Sequence, residues 1–214
     1  MSKRSKRSMR RKQRQMPPRK KHGPLYKVPF RRRRQQKTDF HQRKRLLKSG
    51  KIRLVTRPSN KQVLVQFVKS NIGGDLTLIQ VRSHELKEYG WDIATSNLPA
   101  AYLTGYLAGK KAMIESVDEA ILDIGIHTPN AGTRIFATLK GALDAGVEIP
   151  VNDIMIPPEE RIKGEHIAKY GKLLASEDKE NYKRFFSKYL AVNKKPEDLP
   201  KYFEETKAKI DSKF

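Results

Sequence analysis

The first 57 residues of this chain hold the side chains best suited to binding a polyanion. They contain 24 of the 46 Lys and Arg residues but only one acid, Asp39, and so account for the whole net charge of +23. The remaining 157 residues carry 22 basic and 22 acidic side chains. A stretch of such charge density repels itself in water, so it indicates a polyanionic partner. The sequence therefore predicts a basic arm joined to a near-neutral globular domain.

Aromatic rings accompany the charges in the second part of this arm. Tyr26 and Phe30 lie on either side of Lys27, and the run Arg31–Arg34 follows directly. Arginine binds phosphate through two parallel hydrogen bonds. An aromatic ring stacks on an exposed base, which is worth about 1–3 kcal/mol. Tyr26, Phe30 and Phe40 could therefore stack on exposed bases or sugars of a nucleic acid. Packing against its own domain is the alternative for each ring and suits Phe40 best.

A helix is predicted near the end of the arm. Thr38 or Asp39 has the residue type of an N-cap and Gly50 that of a helix stop, which places the helix over residues 39–49. Upstream of it, Pro24 and Pro29 favour an extended path. The basic residues at i, i+4, i+8 and i+11 form one stripe, which consists of Lys37, His41, Arg45 and Lys48. Such a stripe favours contact with a polyanion over simple solvation.

One acidic residue has the position of a catalytic carboxylate. Asp123 precedes Gly125 at the end of a predicted strand, where ribonuclease-H-like folds place a metal-binding carboxylate. Two-metal chemistry needs further carboxylates, and neither Asp144 nor Asp153 has a spacing that brings it there. A structural hydrogen-bonding role for Asp123 is therefore preferred. The chain has no cysteine and its five histidines lack metal-ligand spacing, so we expect no enzyme, metal, cofactor or small-molecule substrate.

The neutral part of the chain has the pattern of an α/β domain. Alternating and β-rich runs predict strands over 53–57, 62–68, 76–81, 120–126 and 147–150, with helices over 98–116 and 134–145. The first three strands form an antiparallel meander in the simplest arrangement. The succession β-β-β-α-β-α-β predicts a mixed sheet with flanking helices. Ala101, Gly105 and Gly109 recur every four residues, which would let the first long helix lie very close to a sheet.

Composition divides the chain into four segments. Residues 1–22 can bury almost no apolar surface and are predicted to be a disordered basic tail. Their composition resembles that of a transit peptide, but Met1, Met9 and Met16 are too few large apolar residues for an amphipathic face. A nuclear-import tract has the same composition as a nucleic-acid-binding tail. Residues 23–57 form the arm and helix, 58–156 the α/β domain, whose first strand begins at about 52, and 157–214 a helical extension. No run approaches the ~18–20 apolar residues that span a bilayer, so no membrane partner is expected.

The helical extension has an aromatic face. Apolar residues at i, i+3, i+4, i+7 and i+8 are Tyr182, Phe185, Phe186, Tyr189 and Leu190. After Pro196 and Pro200 another helix carries Tyr202 and Phe203. Packing against the chain's own domain and docking on a partner are both compatible with this pattern.

Several blocks of the chain together resemble a ribosomal protein family. They include residues 26–34 (YKVPFRRRR), 38–43 (TDFHQR), 57–61 (RPSNK), 97–105 (NLPAAYLTG), 141–146 (GALDAG) and 164–167 (GEHI). The resemblance extends over roughly residues 24–211. The family is the archaeal and eukaryotic branch of universal large-subunit ribosomal protein eighteen, whose members bind 5S ribosomal RNA. Residues 1–22 depart from the family pattern, so the resemblance assigns them no contact.

The resemblance implies a ribonuclease-H-like fold of the translational-machinery type that serves as a scaffold. It implies a structural constituent of the large ribosomal subunit, ribosome-bound in the cytoplasm. Such a protein binds 5S rRNA and helps attach it to the large-subunit rRNA in the central protuberance, beside a second 5S-binding ribosomal protein. A non-ribosomal nucleic-acid-binding protein with a basic tail and a ribonuclease-H-like nuclease remain as alternatives.

The family pattern places the RNA contacts on the arm and on the turn after the first strand. On this chain they are Lys27, Arg31, Arg32, Arg33, Arg34, His41, Arg43, Arg45, Lys48, Lys51, Arg53, Arg57, Ser59, Asn60 and Lys61. The rings of Tyr26 and Phe30 complete the predicted RNA-binding set.

Overall fold

A computed structural model describes residues 27–214, so the predicted tail 1–22 and Tyr26 lie outside the described residues. The chain divides into two compact units, one that ends at Lys37 and one that spans Thr38–Phe214. In the first unit, Arg31–Arg34 forms α1, a single helical turn in which the N–H of Arg34 donates to the carbonyl of Phe30 at 3.0 Å. The extended path predicted from the prolines therefore ends at Phe30, because a proline restricts only itself and the residue before it.

The second unit alternates strands and helices before it ends in a series of helices. Its elements are α2 (Phe40–Leu47), β1 (Ile52–Pro58), β2 (Val63–Asn71), β3 (Gly74–Arg82), a 3₁₀ helix (Ser83–Tyr89), α3 (Leu98–Ile114), β4 (Ala120–Asp123), α4 (Arg134–Asp144), a 3₁₀ helix (Asp153–Met155), α5 (Glu159–Lys163), α6 (Glu165–Glu177), α7 (Lys179–Phe185), α8 (Ser187–Leu190), a 3₁₀ helix (Pro196–Asp198) and α9 (Leu199–Lys213). The unit thus begins inside the predicted segment 23–57 and runs through both later segment boundaries.

The strands form one mixed sheet in the order β3-β2-β1-β4. β1 pairs antiparallel with β2, β2 pairs antiparallel with β3, and β1 pairs parallel with β4. This confirms the predicted meander and the α/β class. The predicted last strand over 147–150 is wrong, because its described pairing is one isolated bridge between Glu119 and Glu148. Val147 and Ile149 are buried and alternate with exposed residues, as in a strand, although this segment forms no ladder of sheet hydrogen bonds.

The predicted close approach of α3 is to a helix and not to a sheet. A Cβ atom at Gly105 would lie 2.0 Å from the carbonyl oxygen of Thr138 in α4. A Cβ atom at Gly141 of α4 would lie 2.2 Å from the carbonyl oxygen of Tyr102 in α3. Glycines on both helices therefore allow their backbones to touch, and the prediction named the wrong partner.

The C-terminal helices contribute to the same hydrophobic core as the sheet. Phe186, Tyr189, Leu199, Phe203 and Ile210 belong to the core cluster of buried residues. Packing on the chain's own domain is thus confirmed for these faces.

The aromatic face predicted for one helix is divided between two short ones. α7 ends and α8 begins around Phe186, whose φ of −101° and ψ of 19° interrupt the helix. As a result Phe186 and Tyr189 point into the core, whereas Phe185 and Leu190 are exposed. Within residues 27–214, no helix has the length and apolarity that crossing a membrane requires.

Candidate nucleic-acid interface

The basic arm residues of the first unit are on the surface. Lys27 and all four side chains of α1 are exposed, and Phe30 is 79% exposed. A guanidinium that keeps its hydration can exchange water and counterions for phosphate oxygens. These residues therefore have the accessibility that the sequence analysis required of phosphate contacts.

α2 begins at an N-cap that its sequence predicts. The Asp39 carboxylate accepts hydrogen bonds from the backbone N–H groups of His41 at 2.9 Å and Gln42 at 3.2 Å, which satisfies donors that the helix leaves unpaired. The chain leaves the helix before Gly50, whose φ is +68°. Three basic residues predicted to contact RNA are exposed on or next to this helix, namely His41, Arg45 and Lys48.

An ion-pair network ties α2 to the sheet. Nη2 of Arg43 in α2 donates to both carboxylate oxygens of Asp75 in β3, at 2.8 and 2.9 Å. Asp75 also accepts from Nη2 of Arg53 in β1 at 2.8 Å, and Ser70 accepts from the same nitrogen at 3.1 Å. One carboxylate therefore joins an arm helix to two strands.

The network continues to β4 through Asp123. This carboxylate accepts from Nη1 of Arg53 at 2.7 Å and from the N–H of Gly125 at 2.9 Å. Arg57 donates to the Asp123 carbonyl at 3.0 Å, and its Nη2 lies 3.5 Å from the Asp123 carboxylate. We call the series Arg43–Asp75–Arg53–Asp123–Arg57 the arginine–aspartate chain. It gives Asp123 the structural role preferred in the sequence analysis.

The electrostatics of the pair Arg43–Asp75 favour its ionised form. The hydrogen bond from Arg43, together with the hydrogen bond and charge of Arg53, lowers the pKa of Asp75 to about 2, although partial burial opposes this shift. The same hydrogen bond raises the pKa of Arg43. Mutual stabilisation of opposite charges holds these groups ionised at neutral pH.

Arg53 was predicted to contact RNA, but its side chain is not accessible to a ligand. Its side chain is only 3% exposed, and both of its terminal nitrogens donate to protein acceptors. A phosphate would have to displace two carboxylates to reach it, so the geometry favours a supporting role over direct RNA contact. Arg43 and Arg57 are 32% and 40% exposed and keep access to solvent beside their internal bonds.

The predicted RNA-binding turn after β1 is held by its own serine. The Ser59 hydroxyl accepts from the N–H of Gln62 at 3.0 Å and donates to the Gln62 carbonyl at 2.8 Å. Ser59, Asn60 and Lys61 are all exposed. The Ser59 hydroxyl thus closes the turn from which the exposed side chains of Asn60 and Lys61 extend.

Three residues that the sequence analysis missed hold this turn from outside. Thr95 donates to the carbonyl of Lys61 at 2.6 Å, and Ser96 donates to that of Asn60 at 2.8 Å. Nη1 of Arg134, the first residue of α4, donates to the Ser59 carbonyl at 2.7 Å. These donors bind backbone atoms only, so the side chains of Asn60 and Lys61 stay available for a ligand. No local spacing in the sequence indicates such contacts.

Lys51 has an acidic neighbour. It forms a hydrogen-bonded ion pair with Glu119, and both side chains are about half exposed. RNA contact by Lys51 would therefore compete with a surface ion pair, which is worth ~0–1 kcal/mol.

Asp144, another carboxylate considered for catalysis, has partners of its own. Asp144 accepts from the Tyr102 hydroxyl at 2.7 Å and pairs with Lys140 at 2.8 Å. Among residues 27–214, no group of three or more His, Cys, Asp or Glu side chains is placed to hold a metal ion.

Comparison with known proteins decides the family. A family model described as "Ribosomal large subunit proteins 60S L5, and 50S L18" matches residues 25–118 and 115–152. A protein of Aeropyrum pernix named large ribosomal subunit protein uL18 is 49% identical over 193 residues, which are 90% of each chain. The chain belongs to the uL18 family. A second uL18 protein, from Thermofilum pendens, is 47% identical over 189 residues, 88% of this chain and 96% of the relative.

Membership in the uL18 family confirms the resemblance seen in the sequence. It makes the chain a structural constituent of the large ribosomal subunit and hence part of a ribonucleoprotein. The exposed cations of the arm, the arginine–aspartate chain and the braced turn are the features of this uL18-family chain that suit an RNA partner.

Proposed function

We propose that this uL18-family chain binds 5S rRNA and helps attach it to the large-subunit rRNA in the central protuberance of the cytoplasmic ribosome, beside a second 5S-binding ribosomal protein. The observation that carries the proposal is the fixed placement of α2 and the turn Ser59–Lys61 on one domain. α2 precedes β1 and the turn follows it, while Arg53 and Arg57 lie on one face of that strand.

Two separate features of the chain support this function: exposed cations that supply affinity, and a turn and a helix that are held in fixed positions. Exposed Lys and Arg side chains supply affinity by releasing counterions, and the affinity of a protein that contacts about 6–10 phosphates falls ~10³–10⁵-fold between 50 and 200 mM salt. RNA recognition also depends on shape, because proteins bind loops, bulges and the minor groove of A-form helices. A rigid turn and a helix fixed by Asp75 suit such shape recognition.

Binding of 5S RNA by the full chain tests the proposal. We expect tight, salt-dependent binding to 5S RNA that an equal concentration of duplex DNA does not displace. Removal of residues 1–37, which ends at the boundary between the two units, should leave Thr38–Phe214 folded by circular dichroism but weaken 5S binding by at least ~100-fold. Unchanged binding without residues 1–37, or displacement by DNA, would contradict the proposal.

A further inference from the structure

The C-terminal helices carry a basic surface outside the proposed 5S contacts. Residues 183–195 contain five cations and no acid, and the cations are Lys183, Arg184, Lys188, Lys194 and Lys195. All except Lys194 are exposed. Within the described part of the chain, those four exposed cations form no ion pair, whereas Lys169 and Lys201 nearby each pair with an acid. The surface is thus locally positive although the domain as a whole is near neutral.

An aromatic ring projects from the middle of this surface. Phe185 is 58% exposed and is adjacent in sequence to Arg184. Its neighbour Phe186 is buried, with ring centroids 5.4 Å from Tyr182 and 5.7 Å from Tyr189. These buried rings fix the segment on the core, so Phe185 is held outward beside cations. Cations that bind phosphates together with a ring that stacks on bases are the usual components of a surface that binds single-stranded or looped RNA.

One loop connects this segment to the turn Ser59–Lys61. Nδ2 of Asn97 lies 3.4 Å from the hydroxyl of Tyr189, and Nζ of Lys194 donates to the carbonyl of Gly90 at 2.7 Å. Burial raises the pKa of Tyr189 to about 12, so its hydroxyl stays protonated at neutral pH. The segment 189–194 is therefore attached to both ends of the loop 90–97.

The same loop holds the turn through Thr95 and Ser96, whose hydroxyls donate to the backbone of Lys61 and Asn60. The loop 90–97 is thus bonded on one side to the predicted RNA-binding turn and on the other to the basic helices. This continuity makes the two surfaces parts of one structural region.

We propose, on the basis of the function proposed above, that Phe185 and the exposed cations of residues 183–195 extend the RNA-binding surface of the turn. The 5S RNA that contacts Asn60 and Lys61 continues over α7 and α8, where phosphates meet Arg184 and Lys188 and a base stacks on Phe185. RNA fits this surface better than a protein partner, because lysine is depleted at protein–protein interfaces and unpaired cations there would be desolvated.

A charge-matched pair of full-length variants tests the phosphate contacts. In the first, Arg184, Lys188 and Lys195 are replaced by Gln. In the second, the same charge is removed at three ion-paired lysines, which are Lys140, Lys169 and Lys201. Each phosphate contact adds about 0.7–0.9 to the slope of log affinity against log salt, which is roughly fivefold in affinity at 100 mM salt. We therefore expect the first variant to lose about 100-fold in 5S affinity and 2–3 units of slope, and the second to bind within a few-fold of the unmodified chain.

The aromatic contact has its own test. Phe185→Ala should weaken 5S binding about 5- to 150-fold with an unchanged salt slope, because base stacking carries no charge. Phe185→Tyr keeps the ring and should restore binding. Unfolding temperatures of all variants, measured by circular dichroism, should stay close to that of the unmodified chain, because these side chains are exposed or, for Lys140, partly exposed.

The possible outcomes separate this inference from the proposed function. Failure of the unmodified chain to bind 5S RNA would contradict the proposed function itself. Normal binding by the unmodified chain together with equal affinity of the two charge variants would contradict the extended surface alone. Normal 5S binding by the Arg184, Lys188 and Lys195 variant with poor incorporation into large subunits would identify a protein-docking surface, which also contradicts the inference.

Discussion

The arginines of α1 and those of the arginine–aspartate chain have the same side chain in opposite surroundings. The four guanidinium groups of Arg31–Arg34 are exposed. The guanidinium of Arg53 is buried and shared between Asp75 and Asp123, and those of Arg43 and Arg57 are partly engaged by the same two acids. Charge density in the sequence therefore does not distinguish arginines that the fold leaves exposed from an arginine that it buries and pairs, such as Arg53.

The difference follows from desolvation. An exposed guanidinium exchanges water and counterions for phosphate at little cost, whereas a buried one must be paired before any ligand arrives. Three arginines and two aspartates give the arginine–aspartate chain a net charge of only about +1. The positive field of the arm is thus carried by its exposed residues, and the arginine–aspartate chain supplies rigidity.

Replacement of Arg53 should have the largest effect and should act on stability. Arg53→Met leaves Asp75 and Asp123 without their shared partner, and breaking a buried ion pair from one side costs about 3–5 kcal/mol. Urea denaturation followed by circular dichroism measures this loss. The matched exposed change, Arg33→Met, should alter the free energy of unfolding by no more than ~0.5 kcal/mol.

A second-site change makes the Arg53 prediction specific. If the loss comes from uncompensated charge, Arg53→Met combined with Asp123→Asn should recover part of the stability. Equal destabilisation by Arg33→Met and Arg53→Met would remove the distinction between the two kinds of arginine.

Replacement of the whole run Arg31–Arg34 by Gln should lower the affinity for 5S RNA without lowering the stability of the fold. Loss of up to four phosphate contacts should lower 5S affinity by about 100- to 1,000-fold and the salt slope by ~3–4. The unfolding temperature should not change, because these side chains are exposed. Filter binding between 50 and 200 mM salt measures the slope. A stability loss without a change in slope would show that the run is structural instead.

Local patterns predicted most of the fold. The first three strands and the helices α2, α3 and α4 lie within a few residues of their predicted bounds, because alternation, caps and glycine stops are properties of adjacent residues. The wrong predictions concern contacts between residues that are far apart in the sequence. Buried alternation at Val147 and Ile149 does not show whether a neighbouring strand exists, and the spacing of Gly105 does not show which element it contacts.

The candidate site was predictable in residue type but not in role. Arg53 lies 22 residues from Asp75 and 70 from Asp123, so no motif could show that its charge is already neutralised. The donors that hold the turn, Thr95 and Arg134, are likewise distant in sequence. Burial and long-range partners decide which cations reach a ligand, and both are products of the tertiary fold.

Neutralisation of Asp75 should weaken RNA binding, which is the opposite of what its charge alone predicts. Removing an acid beside a polyanion site would by charge alone tighten binding. Asp75→Asn, however, breaks the charged hydrogen bonds that fix Arg43 and α2, and such bonds are worth ~1.5–3 kcal/mol each, so we expect about tenfold weaker 5S binding.

A matched acid provides the control for Asp75. Glu119→Gln removes the same charge but frees Lys51 from its ion pair, so it should leave 5S affinity unchanged or raise it. Tighter binding by both variants in the same titration would show that the arginine–aspartate chain does not position the interface.

The smallest effect should be a pH dependence of the free energy of unfolding that is limited to acidic pH. The pKa of Asp75 in the folded chain is about 2, below its ordinary value of 3.8, so its ionised form stabilises the fold at neutral pH and this contribution is lost as pH falls from about 4 through 2. Because the side chain is 30% exposed, solvent screening limits the loss to on the order of 1 kcal/mol. Asp75→Asn lacks the titrating group, so its free energy of unfolding should fall less steeply over that range. Urea unfolding at pH 4, 3 and 2 compares the two proteins, and parallel curves would show that the pairing of Asp75 with Arg43 and Arg53 contributes nothing to stability.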